Sequence, residues 1–381
     1  MRLFYLEMKK IFSWKILLLL AFVNVVLYFL LFEFEIEYFP NGRPAGDYFK
    51  IEQQMIEKYG VDLNEAEYQD FVAEYESEVK KAEEYLQNDP QAAAAGLTSY
   101  EAFRNLDSND SEYEAKRNYA DLVIFDRGED LFWELEAREG IIDYYTYRIE
   151  SLKEDINRER GEKKERFEQL LKDEKYGVFS NTVINNFTNI KLSIAIIVLS
   201  SIVVLISPIF LRDHIASVVP LQYVSKKGRT VYRTKWLAGL VSTALVSIIL
   251  LTFYLWLYST NEVAPYFDVP LYAFVADSFW YDLTFFQYIC LSAAAIFVCS
   301  MLLGILSMAV STVVQNTIVL VGVQIILMSA MIALVTTYLI VDMISIWNWK
   351  MLMPTGYLLL TISTAWFMFY VWRREYQRDV L

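Results

Sequence analysis

Six stretches of the chain are apolar for long enough to cross a bilayer, a crossing that takes about 20 helical residues. They are Ile16–Phe32, Leu192–Leu211, Trp236–Tyr258, Phe285–Val310, Thr317–Ile340 and Pro354–Trp372. None of the six holds Asp, Glu, Lys, Arg or His. The first is interrupted only by Asn24, and the second carries Ser207-Pro208 near its end. Basic residues precede the first run as they would a signal peptide. Glu33-Phe34-Glu35-Ile36-Glu37 follows it, with no small-residue cleavage pattern, so the run reads as an uncleaved anchor.

Between the first two runs lies a polar block, 33–187, with helical periodicity. Tyr68, Phe71, Val72, Tyr75, Val79, Ala82 and Leu86 recur at steps of three and four after Asn64, and that pattern stops near Asn88-Asp89-Pro90. Asn64 with Glu67, and Thr98 with Glu101, have capping-box spacing. Leu131, Leu135, Ile142, Tyr145, Ile149, Leu152 and Ile156 keep a 4-3 step broken only by Arg138, predicting one long helix over 129–172. Strand-like alternation is scarce. The expected fold is an all-α polytopic membrane protein: six transmembrane helices plus a helical extracellular domain between the first and second.

Charge sharpens this division. Of 381 residues 55% are hydrophobic, yet the net charge is −13. Residues 33–187 carry 38 acids and 19 bases, and the rest of the chain 9 acids and 15 bases. An acidic, solvated block and a weakly basic, apolar block share one chain. That excludes a single soluble enzyme domain and a nucleic-acid binder, which would be basic. A disulfide scaffold is excluded too, because Cys290 and Cys299 would lie about 13 Å apart along one helix. The acidity of the block reads first as a solubilising surface, with attraction of cationic peptides or divalent ions as the functional alternative.

Lys and Arg set the orientation. Arg2, Lys9, Lys10 and Lys15 precede the first span. Arg212, Lys226, Lys227, Arg229, Arg233 and Lys235 follow the second, and Arg373, Arg374 and Arg378 follow the sixth. These 13 fall on one face, whereas loops 259–284 and 341–353 together hold only Lys350 against five acids. Both termini, the loop 212–235 and the tail 373–381 are therefore expected in the cytoplasm, with 33–187 outside. Trp14, Trp236, Tyr258, Trp280, Trp347, Trp349 and Trp372 sit at span ends as interfacial anchors would.

Catalytic constellations are missing from the sequence. The one histidine is His214, and there is no HExxH, paired-cysteine or G-x-S-x-G motif. No catalytic, cofactor-binding or metal-binding residue is expected. An ion-coupled carrier needs ionisable groups within its spans, and the apolar runs hold none. A phosphate loop is absent as well: Gly161-Glu162-Lys163 and Gly228-Arg229-Thr230 lack the loop glycines and the preceding strand. If the chain transports, a separate subunit must supply the energy.

One segment is rich enough to meet such a subunit. Asp213, His214, Ile215, Val218, Val219, Leu221 and Tyr223 would form a short amphipathic helix, rimmed by Lys226, Lys227 and Arg229. The order of parts then resembles a bacterial ABC transporter permease subunit of the type-2 exporter family, in the group with a large ectodomain after the first span. The resemblance rests on Met1 to Ile11 before one span, the large insertion, five further spans, and the loop with Ser225-Lys226-Lys227-Gly228-Arg229 before Lys235. Glu57-Lys58-Tyr59-Gly60 and Ser99-Tyr100-Glu101-Ala102-Phe103 add to it.

The resemblance implies a bacterial cell-membrane complex of two permeases, identical or related, with two copies of a cytoplasmic ABC ATPase that uses ATP and Mg. Segment 1–15 would be an interfacial amphipathic helix, and 213–223 the coupling helix seated in the ATPase. Where relatives often carry Gly-Thr and a glutamate, this chain has Ala216-Ser217 and Asp213. The expected role is export of a hydrophobic or peptidic cargo. The alternative is a non-transporting scaffold or sensor whose ectodomain relays the state of the ATPase.

Overall fold

The computed structural model describes residues 2–110, 112–224, 228, 230–275 and 278–377. Among these residues the fold is all-helical, with isolated backbone bridges and no strand. Helices at Trp14–Glu37, Thr182–Ile215, Thr230–Asn261, Phe285–Val313, Thr317–Ile340 and Leu352–Gln377 are long and apolar enough to cross a membrane. By length and composition the chain is a multi-pass membrane protein.

An amphipathic helix, α1 (Arg2–Ile11), leads into α2 (Trp14–Leu27), which continues through a π-helical turn at Tyr28–Phe32 into α3 (Glu33–Glu37). The polar block folds as α4 (Ala45–Tyr59), α5 (Glu65–Asn88), α6 (Pro90–Ala94), α7 (Tyr100–Arg104), α8 (Tyr113–Asp121), α9 (Asp130–Arg158) and α10 (Glu162–Lys172). The second span, α11 (Thr182–Ile206), continues beyond Ser207-Pro208 as α12 (Pro208–Ile215). Then come α13 (Val219–Val224), α14 (Thr230–Tyr258), α15 (Phe285–Val313), α16 (Thr317–Leu334) with a π-helical end at Val335–Ile340, and α17 (Leu352–Gln377).

Helix α11 is the centre of the bundle. It packs against α2, α14, α15 and α16 and is buried along most of its length. Small residues permit that close approach. Ser193 Oγ donates to the Leu31 carbonyl at 2.8 Å, and Asn24 Nδ2 donates to Ser201 Oγ at 2.9 Å. Farther out, Ser247 and Ser300 share a hydrogen bond of 2.8 Å, and Ser307 donates to Gln324 Oε1 at 3.0 Å. These four contacts are interhelical hydrogen bonds between polar side chains, or a side chain and a carbonyl, of neighbouring spans. Gly304 of α15 lies against α14, where an added Cβ would meet Thr243 Oγ1 at 2.8 Å.

Several expectations change on folding. The long helix over 129–172 breaks after Arg158: Gly161 takes φ +60°, and α10 folds back onto α9. The cap expected at Thr98 forms one residue later, where Ser99 Oγ accepts from the Ala102 N–H. The Asn64–Glu67 capping box forms in full. Trp236, Tyr258 and Trp280 are buried within the protein.

The helices also outrun the apolar runs, so they enclose charge that the runs lack. Lys191 in α11, Asp213 in α12 and Lys235 in α14 are all buried. Lys191 Nζ donates to Tyr288 Oη and, at 2.8 Å, to the Val341 carbonyl. These charges stand at the two ends of the bundle. Between them, the apolar runs supply no Asp, Glu, Lys, Arg or His.

Three groups of contacts, among others, fix the α4–α10 domain to the bundle. Backbone N–H groups of Val178 and Phe179 donate to the Ala273 carbonyl, and that of Val275 donates to Phe179. Arg166 and Lys175 both pair with Asp282, and Arg166 Nε donates to the Phe279 carbonyl at 3.1 Å. Third, Glu52 is wholly buried beneath α4, accepting from the Ser180 N–H and, at 3.0 Å, from Tyr266 Oη. Burial pushes its carboxyl up to about 7, against the pull of those donors.

Two predictions follow from this packing. Gly304→Leu is expected to lower the melting temperature in detergent, since overpacking a tight contact costs roughly 1–3 kcal/mol or more. Glu52 holds a proton in the folded state that the unfolded chain releases in the ordinary glutamate range. The stability it contributes is complete at low pH and is lost as pH rises through about 7. Thermal unfolding from pH 4.5 to 8 is expected to show that loss in the wild type and a flatter profile in Glu52→Gln.

Candidate partner-binding site

At the end of the bundle carrying α1, the loop between the second and third spans is held by a buried ion pair. Lys235 Nζ donates to Asp213 Oδ2, and both residues are buried. Gln222 Nε2 from α13 donates to the same oxygen at 2.6 Å, and Lys10 Nζ stands 3.8 Å from Asp213 Oδ1. Lys10 also pairs with buried Glu7 at 2.8 Å. Arg212 Nη1 donates to the Lys10 carbonyl at 2.8 Å and Arg212 Nη2 to Ser13 Oγ at 3.4 Å. One carboxylate therefore gathers α1, α12, α13 and α14.

The floor beneath it is aromatic. The Phe210 ring lies 5.6 Å from Lys235 Nζ and packs against Tyr232 and Trp236, which in turn meet Trp372 of α17. Ser311 Oγ of α15 donates to the Ser207 carbonyl at 2.6 Å, fixing the junction of α11 and α12. The base of the loop is thereby locked to four of the spans.

The loop does not form the single helix expected over 213–223. It divides at Ala216–Val218, where Ser217 takes φ +52° and the Val218 N–H returns to the Asp213 carbonyl at 3.1 Å. Asp213 faces inward as the anchor, while His214, Val218 and Val219 are half-buried. Ile215 ends α12 at 63% exposure, and Leu221 on α13 stands at 69%. Val224, absent from the sequence-derived set, is 79% exposed at the end of α13. Its signal was its position, three residues beyond Leu221 on the same helix. The side chain of Tyr223 and the whole of Lys226, Lys227 and Arg229 lie outside the described residues.

The arrangement is an apolar tip, Ile215, Leu221 and Val224, projecting from a charged and rigid base. Exposed apolar residues of this kind are what the buried centre of a protein interface is usually made from. Among the described residues no group of His, Cys, Asp and Glu could hold a metal ion. Comparison with protein-family models, curated protein sequences and solved structures finds no match.

Asp213→Ala would remove the carboxylate that buried Lys235 donates to, leaving only the longer-range pull of Glu7. Removing one member of a buried pair costs roughly 3–5 kcal/mol. A clear drop in melting temperature is expected, with Lys235→Met restoring much of it in the double variant.

Proposed function

We propose that the chain is the membrane-spanning subunit of an ATP-driven exporter, moving a hydrophobic or peptidic cargo with energy from a separate ATPase. The observation that carries this reading is the α12–α13 tip: three exposed apolar residues on a base locked to α11, α14 and α1. A partner seated on that tip would move the bundle rather than merely bend a loop. The lack of a phosphate loop in the sequence supports an external source of energy, as does the run of uncharged helix between the two buried charge sites.

In this reading both termini and the tip face the cytoplasm of a bacterial cell, and the acidic domain lies outside. Two such permeases, identical or related, work with two ATPase copies that bind ATP and Mg. Ile215, Leu221 and Val224 form the contact, with His214, Val218, Val219 and Tyr223 beside them and Lys226, Lys227 and Arg229 at the rim. Asp213 positions the contact without touching the partner.

The domain's fixings to the bundle also suit a scaffold or sensor that relays the state of the ATPase. ATP-dependent loss of a preloaded amphipathic dye from proteoliposomes separates the two readings: only the exporter releases it. For the contact itself, Leu221→Asp is expected to abolish co-purification of an ATPase subunit that is captured by the tagged wild-type chain, because it puts an unpaired carboxylate into an apolar interface. Lys227→Ala is expected to be mild, since exposed rim charges add little. Retention by Leu221→Asp with loss by Lys227→Ala would move the contact to the basic cluster.

A further inference from the structure

A cavity of about 470 Å³ opens where the apolar bundle meets the α4–α10 domain. Its floor is the first three turns of α11, and its walls are the stretch from Phe34 to Tyr48 and Tyr144 of α9. The volume lies within the range of small-molecule sites. Its chemistry is one-sided. Glu35 is the only Asp or Glu that lines it, and none of the described lining residues is Lys, Arg or His.

The Glu35 carboxylate is held in place by amides. Asn186 Nδ2 donates to Oε2 at 3.0 Å and Asn189 Nδ2 to Oε1 at 3.0 Å. The Glu35 carbonyl accepts from Asn186 Nδ2 at 2.9 Å and from Asn261 Nδ2 at 3.0 Å, and Asn261 also donates to Asn186 Oδ1. Asn186 and Asn261 are both buried, so this is a built network rather than a surface cluster. Each carboxylate oxygen keeps a lone pair beyond the one its amide uses.

Aromatic rings supply the walls. Tyr48 and Tyr144 stack with centroids 6.1 Å apart, and Phe34 and Phe39 line the cavity beside them. Gly140 on α9 makes room for Tyr48, since a Cβ there would overlap its hydroxyl. Burial and the neighbouring Tyr144 hold the Tyr48 hydroxyl well above the usual tyrosine range, so that wall stays neutral. Fixed acceptors with aromatic faces form a receptor for a donor-only cation. The domain's 38 acids against 19 bases within 33–187 raise the local concentration of such cations.

We propose that this cavity binds a ligand carrying an ammonium group beside an apolar body. The ammonium is taken by Glu35, and the apolar body lies against Tyr48 and Tyr144. The site stands apart from the coupling contact, so loss of ATPase capture leaves it unaffected. A lipid headgroup and a free amphipathic amine carry the same chemistry.

Calorimetric titration of the full chain in dodecyl maltoside with phenethylammonium, against phenethyl alcohol as the neutral analogue, tests the site. Saturable binding of the ammonium alone is expected. Affinity is expected to fall roughly tenfold or more in Glu35→Gln, the loss of one charge-assisted bond. Ala45→Trp, which fills the cavity, is expected to abolish binding. Tyr144→Ala provides the same reading without touching the carboxylate if Glu35→Gln does not fold. Equal binding of the alcohol, or full affinity in both Glu35→Gln and Tyr144→Ala, would overturn the proposal. Displacement by dihexanoyl phosphatidylethanolamine but not by phosphatidylglycerol assigns a lipid headgroup. Displacement by neither assigns a free amine, and equal displacement by both overturns ammonium recognition.

Discussion

The enclosure of α11 is the constraint on which the rest of the structure depends. In hydrocarbon no water is present to satisfy a stray polar group, so a helix surrounded by others must find every partner among them. Ser193, Ser201 and Asn24 do this at the α2 contact, and the small side chains of α11 let four neighbours close around it. The same helix begins at the Ser180–Glu52 junction and ends at the Ser207 junction with α12. Together with α14, which carries Lys235 and leads into the loop holding Tyr266, it joins the domain's mounting to the ion pair beneath the exposed loop.

Span positions were legible in the sequence because an apolar run is a property of composition, independent of what packs where. Span ends were not. Lys235 borders an apolar run and reads as a loop charge until Asp213 closes on it, and Lys191 borders another, where Tyr288 and Val341 meet it. Those partners are distant in sequence, and nothing local announces them. The α9–α10 break has a similar cause. Arg158 to Arg166 offers no apolar residue to continue the seam, and the return of α10 is set by the Arg166–Asp282 pair across the domain boundary.

The exposed loop shows the same division. Ile215 and Leu221 stood out as apolar residues among polar ones, whereas the inward turn of Asp213 depends on a lysine one loop away. Nor does the sequence hint at the Ser217 conformation that splits the expected helix. Asn181, Asn185, Asn186 and Asn189 did leave a signal: an unusual density of amides at the mouth of an apolar helix. It carries meaning only once Glu35, from the far side of the domain in sequence, is placed among them.

The domain holds two hydrophobic cores, and its α10 adds Phe167 and Leu170 to a third cluster with Trp280 and Ile346. Phe71, Ala137 and Ile141 belong to the one continuous with the bundle, whereas Ala82, Leu86, Phe103, Val123, Phe132 and Leu135 form a separate one at the tip. Only α5 and α9 run through both. The tip core is carried on two antiparallel helices, each of which also enters the core continuous with the bundle. A change confined to the tip core therefore leaves both of those anchorages intact.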